Sequence, residues 1–332
     1  MIAQCHNCNS SDLEFLYGAP AFDTQPDTEH LRYDLCRCND CALVNTVPSD
    51  PAYDSDEPED AVYSETYYGS STSKFLTVIE FLLKKATTAR ARKIIRLWRA
   101  AKPTSASPAV LDIGCGRGLL LRSFQEEGAS VLGLERQEFP IDESCSDIVR
   151  AGALDDAECE NRNFDIIILW HVLEHLSEHE KLLDNIKQHL NTGGVLALAV
   201  PNYDSLQQRL FAGHWFHLDL PRHLVHFESD WLCEQLERRG FIIEQQKHLD
   251  PVQNSYGFIQ STLNQISTEH QNAYYKLLKH GNTFSLRTLP AFLGWSVLAA
   301  ALLPAAIIEL IFSSFTRKGA TVQIFAKLGT QK

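Results

Sequence analysis

The chain has 332 residues, 44% of them apolar, and a formal net charge of −12. That length holds one sizeable core plus smaller modules, and the excess of acid argues against a general nucleic-acid binder. The first ten residues carry neither a basic start nor an apolar run, so no signal peptide is expected there and the cytoplasm is the expected compartment.

Five of the nine cysteines fall within the first 41 residues. Cys5 with Cys8, and Cys38 with Cys41, form two C-x-x-C pairs. Four thiolates at the corners of a tetrahedron suit a structural Zn²⁺, so residues 1–48 are expected to be a small zinc-binding module. Cys36, His6 and His30 are competing ligands, and reduced packing cysteines are the plain alternative. Residues 49–60 are acidic and proline-containing and predict a linker. Tyr63, Tyr67 and Tyr68 follow.

From Lys74 to Arg99 apolar residues recur at helical spacing, with eight basic residues and one acid, Glu80. This segment predicts one or two basic amphipathic helices, so that 49–100 comprises linker and helices. Such a face suits anionic lipid or a phosphorylated substrate, or else is a solvated face on a helix packed against a sheet.

Val110 to Ile113 is an apolar strand that meets Gly114, Gly116 and Gly118 and then a helix from Leu119. The glycines allow a sharp turn and close approach of a ligand to the main chain, and the helix start offers unpaired N–H groups. About twenty residues on, a second apolar strand ends in Glu135, a carboxylate placed to accept ribose hydroxyls. A dinucleotide fingerprint would need glycine at Leu119. The pattern Asp112-x-Gly114-x-Gly116-x-Gly118 instead resembles motif I of the class I S-adenosylmethionine-dependent methyltransferases. The resemblance continues in order through Glu135, through Asn163 to Leu176 as strand 4 and the turn after it, and through Thr192 to Asn202 as strand 5.

That resemblance implies an α/β, Rossmann-like fold, a seven-stranded and mostly parallel sheet with an antiparallel last strand, spanning 101–250 and 319–332. It implies S-adenosylmethionine as cofactor, with Asp112, Gly114, Gly116, Gly118, Glu135, Leu154 and Trp170 around it. It also suggests the tyrosine cluster as a cover for the sulfonium, with helix packing an equal alternative. Ser177 is expected to cap a helix to Leu190, with Glu180 completing a capping box. A helix over Ser229–Gly240, a strand over Phe241–Leu249 and a last strand over Ala320–Leu328 complete the order.

Candidate bases follow strands 4 and 5 of such a sheet. His171 and His175 follow the first, and four histidines crowd into residues 214–226 after the second. Histidine suits proton abstraction near neutrality, and Arg222 suits a phosphate or carboxylate. His171, His217, Arg222 and His223 are therefore the candidate catalytic residues, although a hydrogen-bonded loop role is the plain reading of each. The stretch from Trp215 to Leu224 resembles a motif of bacterial methyltransferases linked to polysaccharide or lipid-carrier pathways. His171, Glu174 and His175 formally match an inverted zinc-protease motif, which the order of elements argues against. Ubiquinone-pathway O-methyltransferases and RNA-end 2′-O-methyltransferases carry Glu-x-x-Glu-His at this turn. Here His171 replaces the first glutamate, which puts a Mg²⁺ site in doubt and leaves another divalent metal open.

Residues 251–318 are expected to be a helical insertion. Pro290 to Phe315 has the length of a membrane span, but Pro304 breaks the run and the last strand must return to the sheet. A helical hairpin broken near Pro304 is expected. It would lie on the protein or on a membrane surface, or else form a buried pair or a dimer interface. The implied activity is methyl transfer to oxygen of a sugar, glycolipid or related small molecule. C-methylation of a nucleotide-linked sugar and a non-catalytic membrane-docked scaffold are the alternatives. The acceptor is the expected partner; a peripheral membrane contact and a homo-oligomer stay open.

Overall fold

The computed structural model describes residues 4–22, 32–50, 77–102, 107–136, 145–154, 159, 162–267, 271–279 and 289–329. Residues 51–60 of the linker, the Tyr63, Tyr67 and Tyr68 cluster, His30, and Lys74 to Leu76 at the start of the basic segment lie outside them.

The central sheet is built from β4 (Ala109–Ile113), β5 (Ser130–Glu135), β6 (Val149–Ala151), β7 (Phe164–Trp170), β8 (Leu190–Pro201), β10 (Phe241–Lys247) and β11 (Thr321–Leu328), in the order β10-β11-β8-β7-β4-β5-β6. β4 pairs in parallel with both β5 and β7, and β11 is antiparallel to β8 and β10. Parallel strands covered on both faces read as continuous apolar runs, and Ile166 to Leu169 are all fully buried. The strand order reverses between β4 and β7, and a crevice opens at such a switch point, outside the carboxyl ends of the strands.

The basic segment forms one helix, α1 (Thr77–Ala101), laid on the sheet. Ala91, Ile94, Ile95 and Trp98 face inward with Ile166, Ile168 and Phe325. Two of its basic residues turn inward as well. Arg90 stacks 3.7 Å from the Trp170 ring centroid, and Lys93 Nζ lies 3.9 Å from that of Phe325. Burial first, then the neighbouring Lys247 and Arg90, pushes the Lys93 ammonium down to about 7. On the same face α2 (Leu119–Glu126) adds Leu120 and Phe124 to this cluster; on the opposite face α3 (His179–His189) and α5 (Ser229–Arg238) bury Leu183, Ile186, Leu232 and Leu236 in the larger core cluster. α3 begins one residue later than the capping pattern suggested. Glu178 is its N-cap, without a side-chain hydrogen bond, and Ser177 turns toward the crevice instead.

The amino-terminal module is a three-stranded antiparallel meander, β1 (Leu13–Pro20), β2 (Arg32–Cys38) and β3 (Val44–Pro48), extended by β9 (Val225–His226) from the main domain. Thr46 Oγ1 donates to the His223 carbonyl at 2.6 Å, and Trp231 Nε1 donates to the Cys41 carbonyl at 2.7 Å. The module is thus welded to the loop that follows strand β8.

The insertion differs from a hairpin broken at Pro304. α8 (Leu289–Phe315) is one continuous helix with Pro304 inside it. Its outgoing partner is α6 (Pro251–Ile266), and α7 (Ala273–Lys279) lies between them in sequence. Ile259 and Leu263 of α6 pack with Ala299 and Ala306 of α8. The return to the sheet that topology demands is therefore made by α6 and α8 together. α6 is seated on the domain through Gly257, where a Cβ would fall 2.3 Å from His217 Nε2 and 3.1 Å from Gln207 Oε1. Gly257→Ala is expected to lower stability by about 1–3 kcal/mol through overpacking. An unchanged thermal melting temperature would contradict this close seating.

Candidate functional site

The crevice begins at the glycine turn. Gly114, Gly116 and Gly118 have φ of +67°, +53° and +71°. A Cβ at Gly114 would lie 2.5 Å from Val172 Cγ2, and one at Gly118 2.9 Å from Cys145 Sγ. At Gly116 nothing lies within 4 Å of that position, so the turn is open toward a ligand there. Glu135 points back at the same turn. Its Oε2 accepts the Gly116 N–H at 2.6 Å and its Oε1 accepts the Arg136 N–H at 3.0 Å. Burial raises the Glu135 carboxyl, and these two N–H donors work against that rise.

The cleft has a volume of about 470 Å³. Gly114, Gly116, Glu135 and Leu154 form one wall, and His171 and Val172 lie at the end of β7. Lys181, Leu182 and Asn185 close it from α3. The sequence reading missed these three. Their spacing along one helix is the signal, because residues three and four apart share a face.

Asp112 sits beneath the turn at 3% exposure. Burial first, then the charge of Glu135, pushes its carboxyl up to about 8, with Arg90 opposing. An unfolded chain ionises this carboxyl near 3.8, so between about pH 4 and about pH 8 the folded state holds a proton the unfolded state has lost. The stability this group contributes is present at acid pH and lost as pH rises through that window. Asp112→Asn should remove the dependence, so its melting temperature is expected to gain on that of the parent across the window. Parallel curves would refute the assignment.

The candidate catalytic residues separate into two groups. His171 stands in the cleft wall with a left-handed backbone, φ 56°, a strained state for a non-glycine residue. Its N–H is tied to the Ala199 carbonyl at 2.9 Å, and its Nδ1 lies 3.2 Å from Glu174 Oε1. Its Nε2 is buried with no hydrogen-bond partner. His217, Arg222 and His223 are instead 6%, 4% and 6% exposed and do not line the cleft. Burial pushes the His217 imidazole down to about 4, so it is neutral and weakly basic at pH 7. Arg222 pairs with Asp219, and His223 Nδ1 lies 3.0 Å from the His217 carbonyl. Trp170 also lies off the cleft wall, under Arg90, whose guanidinium reaches Asp250 at 3.4 Å. The sequence placed Arg90 only within a basic face. Its burial depends on Asp250 and Asp112, which come from distant parts of the chain.

Two clusters among the described residues have the donors to hold a metal ion. Glu174, His175 and His223 place one ligand atom each within 4.8 Å of one another, beside His171. Cys5, Cys8, Cys38 and Cys41 do the same, with Sγ–Sγ distances of 3.5 Å for Cys5–Cys41 and Cys8–Cys38. Zn–S bonds of about 2.3 Å imply tetrahedral edges of about 3.8 Å, so the four sulfurs fit that ion with little adjustment. Cys36 lies on β2 outside this set. Cys115, Cys145, Cys159 and Cys233 are scattered packing residues.

Residues 83–246 match a family model described as a methyltransferase domain. The chain is 29% identical over 157 residues to a ubiquinone biosynthesis O-methyltransferase of Nitrobacter winogradskyi, covering 41% of this chain and 58% of that protein. It is 33% identical over 141 residues to a trans-aconitate 2-methyltransferase of Deinococcus radiodurans, covering 38% and 50% respectively. The chain thus spans about half the length of these curated relatives. A solved S-adenosylmethionine-dependent methyltransferase from Archaeoglobus fulgidus aligns over 80% of this chain and 98% of its own, at 18% identity and a TM-score of 0.46. The glycine turn and the acidic strand end both fall within the stretch that matches this methyltransferase-domain model.

Proposed function

We propose that the protein moves a methyl group from S-adenosylmethionine to an oxygen of a small-molecule acceptor, a sugar, glycolipid or related compound. The observation that carries this reading is the Glu135 carboxylate held on the Gly116 N–H at the mouth of an open glycine turn. A nucleoside entering the cleft would meet both groups, and its hydroxyls would take up the Glu135 oxygens. Relatives whose names specify O-methylation support oxygen as the accepting atom. The bound cofactor supplies an activated methyl group; the chain's own residues orient the acceptor and take its proton. Alignment for in-line attack is worth on the order of 7–11 kcal/mol. We assign His171, whose ring belongs to the cleft wall with Nδ1 beside Glu174, as the residue that receives the hydroxyl proton. C-methylation would need no such base at a hydroxyl, and a scaffold would need no ribose site.

Calorimetry with S-adenosylhomocysteine, followed by labelled methyl transfer into sugar and lipid pools, tests the reading. His171→Ala should leave that affinity unchanged and lower turnover by about 10²–10⁴-fold. Full turnover in the variant would remove His171 as the base, and no binding by the parent would remove the enzymatic reading altogether. We further propose that Cys5, Cys8, Cys38 and Cys41 hold a structural Zn²⁺ and that the protein works in the cytoplasm.

A further inference from the structure

The outer face of α8 is bare. Val297, Ile308, Ile311 and Phe315 are 71%, 68%, 60% and 91% exposed. No charged side chain stands among the exposed residues of this helix, since its single ionisable group, Glu309, is turned inward and accepts from Gln207 at 2.9 Å. An ordinary surface helix carries its polar residues on the face turned from the core. α8 does the reverse over 27 residues, or about 40 Å.

We infer that α8 is a lipid-docking element that lies along a bilayer surface with this face in the acyl boundary. Two observations favour lipid over a second copy of the chain. A single convex helix about 40 Å long and 10 Å wide offers a strip of about 400 Å², half the roughly 800 Å² per partner of a stable protein interface. Protein interfaces also have a polar rim, and the exposed face of α8 has none. Leu210 on α4 (Leu206–Phe211) and Val252 and Ile266 on α6 are exposed as well, outside that strip. A crossing orientation is excluded by chain order. α8 packs on α6, which is itself seated on the domain, and β11 re-enters the sheet directly after it. The contact is driven by apolar burial and not by charge, because the protein is strongly acidic. It is independent of the identity of the methyl acceptor.

The test is co-sedimentation of the full chain with uncharged phosphatidylcholine vesicles. The protein is expected to pellet with them and to stay bound in about 1 M NaCl, where the Debye length is about 3 Å. Val297→Glu, Ile308→Glu and Ile311→Glu should each reduce partitioning on the order of tenfold or more, with S-adenosylhomocysteine binding retained as the check on folding. Quenching of tryptophan emission by lipid brominated in its acyl chains, lost in Trp295→Phe, reads the same contact without a charged variant. Failure of the parent to pellet, equal pelleting of the variants, or a concentration-dependent dimer broken by them without vesicle binding would each overturn the inference.

Discussion

Glu135→Ala is expected to weaken S-adenosylhomocysteine binding by at least about 100-fold. Hydrogen bonds from two ribose hydroxyls to a carboxylate contribute about 1.5–3 kcal/mol each, and the alanine removes both acceptors. The substitution also strips the Gly116 N–H of its partner, so part of the loss arises from a loosened turn. Glu135→Gln separates the two effects, since its amide oxygen can still accept one N–H and one hydroxyl. Its affinity should fall between alanine and the parent. Calorimetry giving an alanine variant within threefold of the parent would mean that the nucleoside does not sit at this strand end.

The second large effect is expected at the four-cysteine cluster. Metal analysis of the purified protein should give one zinc per chain, and Cys5→Ser should weaken its retention by at least on the order of 100-fold. The consequence should spread beyond the module. Cys5, Cys38 and Leu43 belong to the same apolar cluster as Val225 and Leu232 of the main domain, and β3 pairs with β9. The metal-free variant is therefore expected to melt at a lower temperature and to lose order in the loop carrying His223. A zinc-free protein of unchanged stability, with cysteines that alkylate freely in the native state, would show the sulfurs to be packing residues only.

Much of the main sheet was legible from local pattern. Apolar runs such as Ile166 to Leu169 signal a strand buried on both faces, and the glycines at 114, 116 and 118 mark a turn where side chains would collide. Both signals are carried by neighbouring residues. The histidines after β8 were harder, because the same side chain serves as a base in a cleft or as a packed hydrogen-bonding ring. His171 and His217 look alike in sequence; one lies in the cleft wall and the other under Gly257. The inward turn of Arg90 escaped notice for a similar reason, since a basic helix face gives no sign of which cation meets a buried carboxylate.

Sequence alone determined the order of strands and helices, the glycine turn with its acidic strand end, and the pairing of the two C-x-x-C knuckles. These rest on periodicity, chirality and short-range sterics, which act between residues a few positions apart. Tertiary structure decided that the cysteine module pairs a strand with the main domain, that α6 and α8 form the return path with Pro304 accommodated in a single helix, and that only one of the four proposed catalytic residues lines the cleft. Those depend on contacts between residues tens to hundreds of positions apart, where burial and competing partners set the result.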